Sequence, residues 1–267
     1  HILEATVCAV SLMGVSGEIA REKTDAQGAG TLTFRTYLVD QISLTDAETL
    51  QKRTRLEELE LAEKATKESM KVYAITDRAW LNGRTLHEVT EEVLAAGATF
   101  LQIREKKLDE ATFLEEAKDL AQLAKKYHVP FVVNDNIEIA LACGADGIHV
   151  GQSDIVDKDV RAMIGPDKIL GISANTVETA VKAQESGADY IGVGAVFHTD
   201  TKKDAQSLTN EELLAICKAV TIPVVAIGGI NENNIMQLKG SGIDGVSVIS
   251  AIFAKEHPGE ATKVLSL

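Results

Sequence analysis

Gln102, Arg104 and Lys106 fall on alternate positions of the stretch TFLQIREK, residues 99–106. Side chains alternate across an extended chain with a period of two, so the amide, the guanidinium and the ammonium point the same way. A planar fork of donors beside a compact charge suits an anion with several oxygens, such as a phosphate or diphosphate. The plain alternative is a solvated strand end whose charges pair with Glu105 and Asp109. Two carboxylates, Asp135 and Asp154, come from neighbouring units further along. Hard oxygen ligands, few in number, suit Mg2+, which keeps waters and takes phosphate oxygens. The alternatives are a helix N-cap for Asp135 and a turn for Asp154. Gly228-Gly229 and then Ser250 fit a backbone cradle for a second phosphate, or else a tight turn. Thr199-Asp200-Thr201-Lys202 adds hydroxyls and an ammonium on a loop. His149 reads as a hydrogen-bonded structural histidine. Two anion sites facing one cavity point to the joining of two phosphorylated small molecules with loss of diphosphate, whose charge the metal and the cations stabilise.

These groups need a scaffold that brings strand ends together. From Lys71 onward short apolar runs alternate with amphipathic stretches. The runs at 72–76, 100–104, 131–134, 147–150, 169–172, 190–193, 224–227 and 245–249 predict strands. The stretches at 86–95, 110–127, 137–142, 158–164, 177–186, 210–220, 232–238 and from 252 onward predict helices. Eight strand-helix units over this length predict a TIM (β/α)8 barrel, with a doubly wound open sheet as runner-up. The near-continuous apolarity of FVV and PVVAI suits a covered parallel sheet. The motifs AAGATF, ACGADG, ESGADY and GSGIDG, at 95–100, 142–147, 185–190 and 240–245, repeat a glycine helix end followed by a new strand.

Before the barrel the rhythm differs. Residues 3–21 predict a largely apolar helix, Gly28 and Gly30 a break, and residues 31–41 either a strand or an amphipathic helix. Ser43 or Thr45 reads as the N-cap of a charged helix over 49–67. The expected organisation is a mainly helical extension over 1–68 and a barrel domain over 69–267. The chain has 267 residues, 45% of them hydrophobic, and a formal net charge of -13. That charge opposes general binding to nucleic acid or an anionic membrane, and leaves room for a local basic pocket. Cys8, Cys143 and Cys217 fit no disulfide or zinc spacing, which predicts reduced thiols and a cytoplasmic protein. The apolar start is too interrupted to span a bilayer, and it has no basic leader.

QIREK (102–106), VVND (132–135), GIHVGQSD (147–154), GIS (171–173), GVGAVFHTDTKKDA (192–205), AIGGI (226–230) and GVSVISAI (245–252) occur in an order that resembles the thiamine-phosphate synthase family over residues 70–260. The resemblance implies a TIM barrel that joins hydroxymethylpyrimidine diphosphate to hydroxyethylthiazole phosphate. It also implies residue roles. Gln102, Ile103, Arg104, Glu105, Lys106, Asn134, Ser173 and Lys202 would bind the pyrimidine diphosphate, with Arg104, Lys106, Ser173 and Lys202 catalytic. Asp135 and Asp154 would hold Mg2+. Thr199, Asp200, Thr201, Gly229, Ile249 and Ser250 would bind the thiazole phosphate. The implied chemistry is dissociative, through a pyrimidine methylene cation, and needs no general base.

LEATVCAVSLMGVSGEIA and GTLTFRTYLVDQISL, within residues 3–60, resemble the C-terminal end of hydroxyethylthiazole kinase. That resemblance does not include the kinase's glycine-rich nucleotide segment, so kinase activity is not expected. Competing readings are a thiazole isomerase of similar fold, which would not need QIREK and both aspartates, and a non-enzymatic ligand-binding or assembly protein. The sequence admits a homo-oligomer.

Overall fold

The computed structural model describes residues 2–28, 30–53, 65–152, 158–198 and 207–265. The chain divides into two compact units, His1–Glu60 and Leu61–Leu267. In the first, α1 (Ile2–Ala26), α2 (Thr31–Leu44) and α3 (Ala47–Arg53) follow one another. The stretch at 31–41, open between strand and helix in the sequence, is helical. Val15, Ser16, Ala20 and Thr24 of α1 are buried, as is Gln41 of α2. Lys23 Nζ donates to Gln41 Oε1 at 2.9 Å and ties the two helices together. The cap of α3 is neither Ser43 nor Thr45. Asp46 Oδ1 accepts from Thr49 N at 2.8 Å, while Thr45 Oγ1 turns back to Gln41 O. The charged helix expected over 49–67 is seen only to Arg53, and residues 54–64 lie outside the described residues.

In the second unit eight parallel strands close in chain order into a barrel. They are β1 (Val72–Ile75), β2 (Phe100–Ile103), β3 (Phe131–Asn134), β4 (Gly147–Val150), β5 (Ile169–Ser173), β6 (Tyr190–Gly194), β7 (Val224–Ile227) and β8 (Gly245–Val248). The intervening helices are α4 (Leu86–Ala95), α5 (Glu110–Lys126), α6 (Ile137–Ala142), α7 (Val160–Ile164), α8 (Val177–Glu185), α9 (Asn210–Ala219), α10 (Ser250–Phe253) and α11 (Pro258–Lys263). The helix expected over 232–238 is only a 3-10 helix, Ile235–Leu238. Among the described residues no helix is long and apolar enough to cross a membrane.

The period of two sorts the strand residues into two cores. Val72, Ala74, Leu101, Ile103 and Val133 pack outward with the helices. Tyr73, Ile75, Phe100, Val132, Ile169, Tyr190 and Val225 fill the barrel interior. The repeated glycine motif leads into β2, β4, β6 and β8 at the strands' N-terminal end. Its glycines, Gly97, Gly144, Gly187 and Gly242, have φ of 105°, 75°, 83° and 91°, where a side chain would be strained. Two residues on, a short polar side chain reaches the preceding strand. Thr99 accepts from Val72 N, Asp146 from Phe131 N, Asp189 from Leu170 N and Asp244 from Val224 N, at 2.7 to 2.9 Å. These four polar clasps, on β1, β3, β5 and β7, therefore tie every second strand to its neighbour on the face opposite the site.

Candidate active site

A cavity of about 460 Å3 opens at the C-terminal ends of the strands. Gln102, Arg104 and Lys106 line it together, as their alternate spacing requires. Gln102 pairs in register with Ile75 of β1 and Val132 of β3, which places its amide inside the barrel. Arg104 N donates to Thr76 Oγ1 at 3.1 Å, so the loop after β1 steadies this strand end. The Arg104 guanidinium has no hydrogen bond or ion pair to other described residues, which leaves its fork of donors available. Lys106 Nζ lies 3.8 Å from Asp135 Oδ2.

Ile103 and Glu105 point the other way. Ile103 is buried among the helix-facing residues, and Glu105 gives both carboxylate oxygens to Arg78 Nε, at 3.0 and 2.9 Å. Neither side chain lines the cavity. Asp109, the other partner considered for these cations, instead caps α5 by accepting from Thr112 N at 3.0 Å.

Asp135 follows β3 at the cavity wall with a φ of 62°. It is not the N-cap of α6; Asn136 fills that role by accepting from Ile139 N at 2.9 Å. The Asp135 carboxylate is therefore turned to the cavity, beside Asn134, whose Nδ2 donates to it at 2.5 Å. Asp and Asn tolerate the left-handed backbone better than other side chains. Among the described residues no cluster of three or more His, Cys, Asp or Glu forms a ready-made metal cage. Asp154, Thr199, Asp200, Thr201 and Lys202 lie outside the described residues.

On the opposite wall Gly228, Gly229, Ile249 and Ser250 line the same cavity. Gly228 and Gly229 have φ of 101° and 65°, and a Cβ on Gly229 would sit 2.3 Å from His198 O. The turn is thus a bare backbone surface. Ser250 opens α10, whose first N–H groups have no intrahelical acceptor.

The floor of the cavity is a chain of polar side chains that links three residues the sequence singled out, Gln102, His149 and Ser173, through two that it did not, Tyr73 and Tyr190. Gln102 Nε2 donates to Tyr73 OH at 2.5 Å, and Tyr73 OH meets Tyr190 OH at 2.7 Å. Tyr190 OH lies 2.9 Å from His149 Nδ1, and His149 Nε2 lies 3.1 Å from Ser173 Oγ. Complete burial pushes both phenols above their ordinary range, so each keeps its proton. The sequence reading of His149 as hydrogen-bonded holds, and the ring also lines the cavity. Ile75, Asn175, Gly192, Ala195, Ile227 and Ser247 line it as well. Their types carry no chemical signal; only their place at strand ends could have found them.

Comparison with known proteins gives concordant matches. The family model described as thiamine monophosphate synthase matches residues 72–252. A thiamine-phosphate synthase from Clostridium tetani is 52% identical over 195 residues, covering 73% of this chain and 93% of that protein. One from Ruminiclostridium cellulolyticum is 49% identical over 197 residues, covering 73% and 94%. Among solved structures, thiamine phosphate pyrophosphorylase from Pyrococcus furiosus matches with a TM-score of 0.68 at 39% identity, covering 74% of this chain and 95% of that one.

Proposed function

The chain belongs to the thiamine monophosphate synthase family, and on that premise we propose how its residues divide the reaction. The reaction joins hydroxymethylpyrimidine diphosphate to hydroxyethylthiazole phosphate, giving thiamine phosphate and diphosphate. The bond from the pyrimidine methylene carbon to the diphosphate oxygen breaks, and the electron pair leaves with the diphosphate. The thiazole nitrogen lone pair then forms the new C–N bond. No proton has to be removed, so the site requires charge stabilisation rather than a base.

Arg104, Lys106 and Lys202 hold the departing diphosphate, and Asn134, Gln102 and Ser173 hold the pyrimidine end. Gly229, Ile249 and Ser250, with Thr199, Asp200 and Thr201, hold the thiazole phosphate on backbone and hydroxyl donors. Ile103 and Glu105 contribute by placing the strand, since their side chains face away from the cavity. Mg2+, held by Asp135 and Asp154, would supply further charge to the diphosphate oxygens. What supports the metal reading is the Asp135 carboxylate at the cavity wall, released from helix capping by Asn136. The residues before the barrel, 1–68, are an extension that includes α1, α2 and α3 and whose motifs resemble the end of a hydroxyethylthiazole kinase, in a cytoplasmic protein. A variant lacking residues 1–68 keeps synthase turnover if this division is right.

The observation that carries the reading is the uncommitted Arg104 guanidinium, aligned with Gln102 and Lys106 on one cavity wall. Arg104→Ala is expected to lower kcat by about a hundredfold while the thermal melt stays unchanged. Turnover equal to wild type would refute the assignment of the diphosphate to this wall.

A further inference from the structure

The buried chain from Gln102 to Ser173 joins opposite walls of the cavity through four hydrogen bonds. Its middle members, Tyr73 and Tyr190, do not line the cavity, so their phenol groups serve something other than direct contact with substrate. Their rings also pack together, with centroids 5.8 Å apart. Aromatic packing alone would be met by phenylalanine at both positions. The two hydroxyls therefore need an explanation.

The proton count along the chain supplies one. An amide nitrogen only donates, and a neutral phenol donates once. Tyr73 oxygen accepts from Gln102 Nε2, so its own proton goes to Tyr190, its other hydrogen-bond partner among the described residues. Tyr190 then donates to His149 Nδ1, which must carry no proton. The imidazole proton sits on Nε2 and is donated to Ser173 Oγ. The Ser173 hydroxyl proton is left for the cavity that this side chain lines, and so is the carbonyl oxygen of Gln102. If the Gln102 amide were turned over, every bond would reverse and the cavity would receive a donor from Gln102 and an acceptor from Ser173. The two walls cannot change independently.

We propose that Tyr73 and Tyr190 are positioning residues: through the His149 tautomer they lock the Gln102 amide and the Ser173 hydroxyl into one complementary pair, an acceptor on one wall and a donor on the other. This rests on the reading above that Gln102 and Ser173 face the pyrimidine substrate. Neither tyrosine touches substrate in this account. A heterocycle that carries an amino donor beside a ring nitrogen acceptor meets a matching pair, and the reversed pair would repel it.

Heteronuclear NMR of the histidine ring nitrogens in the free wild-type protein tests the direction, with the His149 signals identified by their loss in His149→Gln. The expected result is an unprotonated Nδ1 and a protonated Nε2. A protonated Nδ1 overturns the proposal. Tyr190→Phe then removes two of the hydrogen bonds at nearly constant ring volume. It is expected to abolish the tautomer preference and to lower kcat/KM for the pyrimidine diphosphate about tenfold, with KM for the thiazole phosphate nearly unchanged. Tyr73→Phe is expected to act in the same direction with a folded thermal melt. Kinetics equal to wild type in both variants would mean a structural role only, and would overturn the proposal whatever happens to the melting temperature. The predicted tautomer together with a shift confined to the thiazole phosphate KM would uphold the chain and overturn the pyrimidine assignment instead.

Discussion

Arg78 Nε donates to both carboxylate oxygens of Glu105, at 3.0 and 2.9 Å, while its Nη2 reaches Glu116 at 2.5 Å. The two carboxylates, Glu105 above all, hold the guanidinium well above its already high ordinary range. Glu105 is only 3% exposed. The pair fastens the loop after β1 to the loop after β2, on the side of the strand opposite the cavity. Arg104 is thereby fixed from two directions: its backbone bonds Thr76, and its neighbour Glu105 is pinned by Arg78.

Removing the cation alone strands a buried carboxylate. Arg78→Met is expected to cost roughly 2 kcal/mol, below the usual range for a broken buried pair because Arg78 is 35% exposed. It should also raise KM for the pyrimidine diphosphate, since Arg104 loses its backing. Adding Glu105→Met should restore much of the stability, because it removes the deeply buried charge and leaves only the more exposed Glu116 without its Arg78 partner. Denaturant melts of the single and double variants decide it; a single variant as stable as wild type would sink the account.

The same strand shows what the sequence could reveal. Period two is enough to place Gln102, Arg104 and Lys106 together and to turn Glu105 away. It cannot name the partner of Glu105, because Arg78 comes from a loop 27 residues earlier. The repeated glycine motif announces the barrel units, yet the clasp made by Thr99, Asp146, Asp189 and Asp244 becomes visible only when adjacent strands are paired. Tyr73 and Tyr190 read as ordinary aromatic strand residues. They are 117 positions apart, and only closure of the barrel brings their hydroxyls to 2.7 Å. Capping was misjudged where competing side chains stand side by side, as Asp46 does beside Thr45.

Asp135→Asn keeps both shape and tolerance for a φ of 62°, and removes the charge. If this carboxylate holds the metal, half-saturation for Mg2+ should rise about tenfold or more, and calorimetric binding of Mg2+ with inorganic diphosphate should weaken in step. Asp135→Ala should add backbone strain of about 1 kcal/mol to the same loss. An unchanged Mg2+ requirement in the asparagine variant would take Asp135 out of the metal site.

Gly229→Ala tests the opposite wall. The added Cβ would fall 2.3 Å from His198 O and 2.9 Å from Phe197 Cβ, at a φ of 65°. Either the turn or the chain at Phe197–His198 must shift. KM for the thiazole phosphate is expected to rise about tenfold, with a stability loss of about 1 kcal/mol or more. The pyrimidine diphosphate KM should barely move. Equal rises in both constants would argue against a separate phosphate cradle here.

Acid should loosen the helical shell. Glu88 and Glu212 close capping boxes, accepting from Thr85 N and Thr209 N at 2.8 Å. Those backbone donors hold both carboxyls below their ordinary value of 4.5. A depressed native value means stability that is present above 4.5 and lost as pH falls through the native value. The melting temperature should therefore be level from neutral pH down to about that point and fall below it. Glutamine can keep the reciprocal capping bond without titrating. A Glu88→Gln, Glu212→Gln variant is expected to melt below wild type at neutral pH and to converge on it as the medium becomes acidic. Melting curves recorded across that range give the answer, and a gap that stays constant with pH would show that these carboxylates do not carry the acid sensitivity.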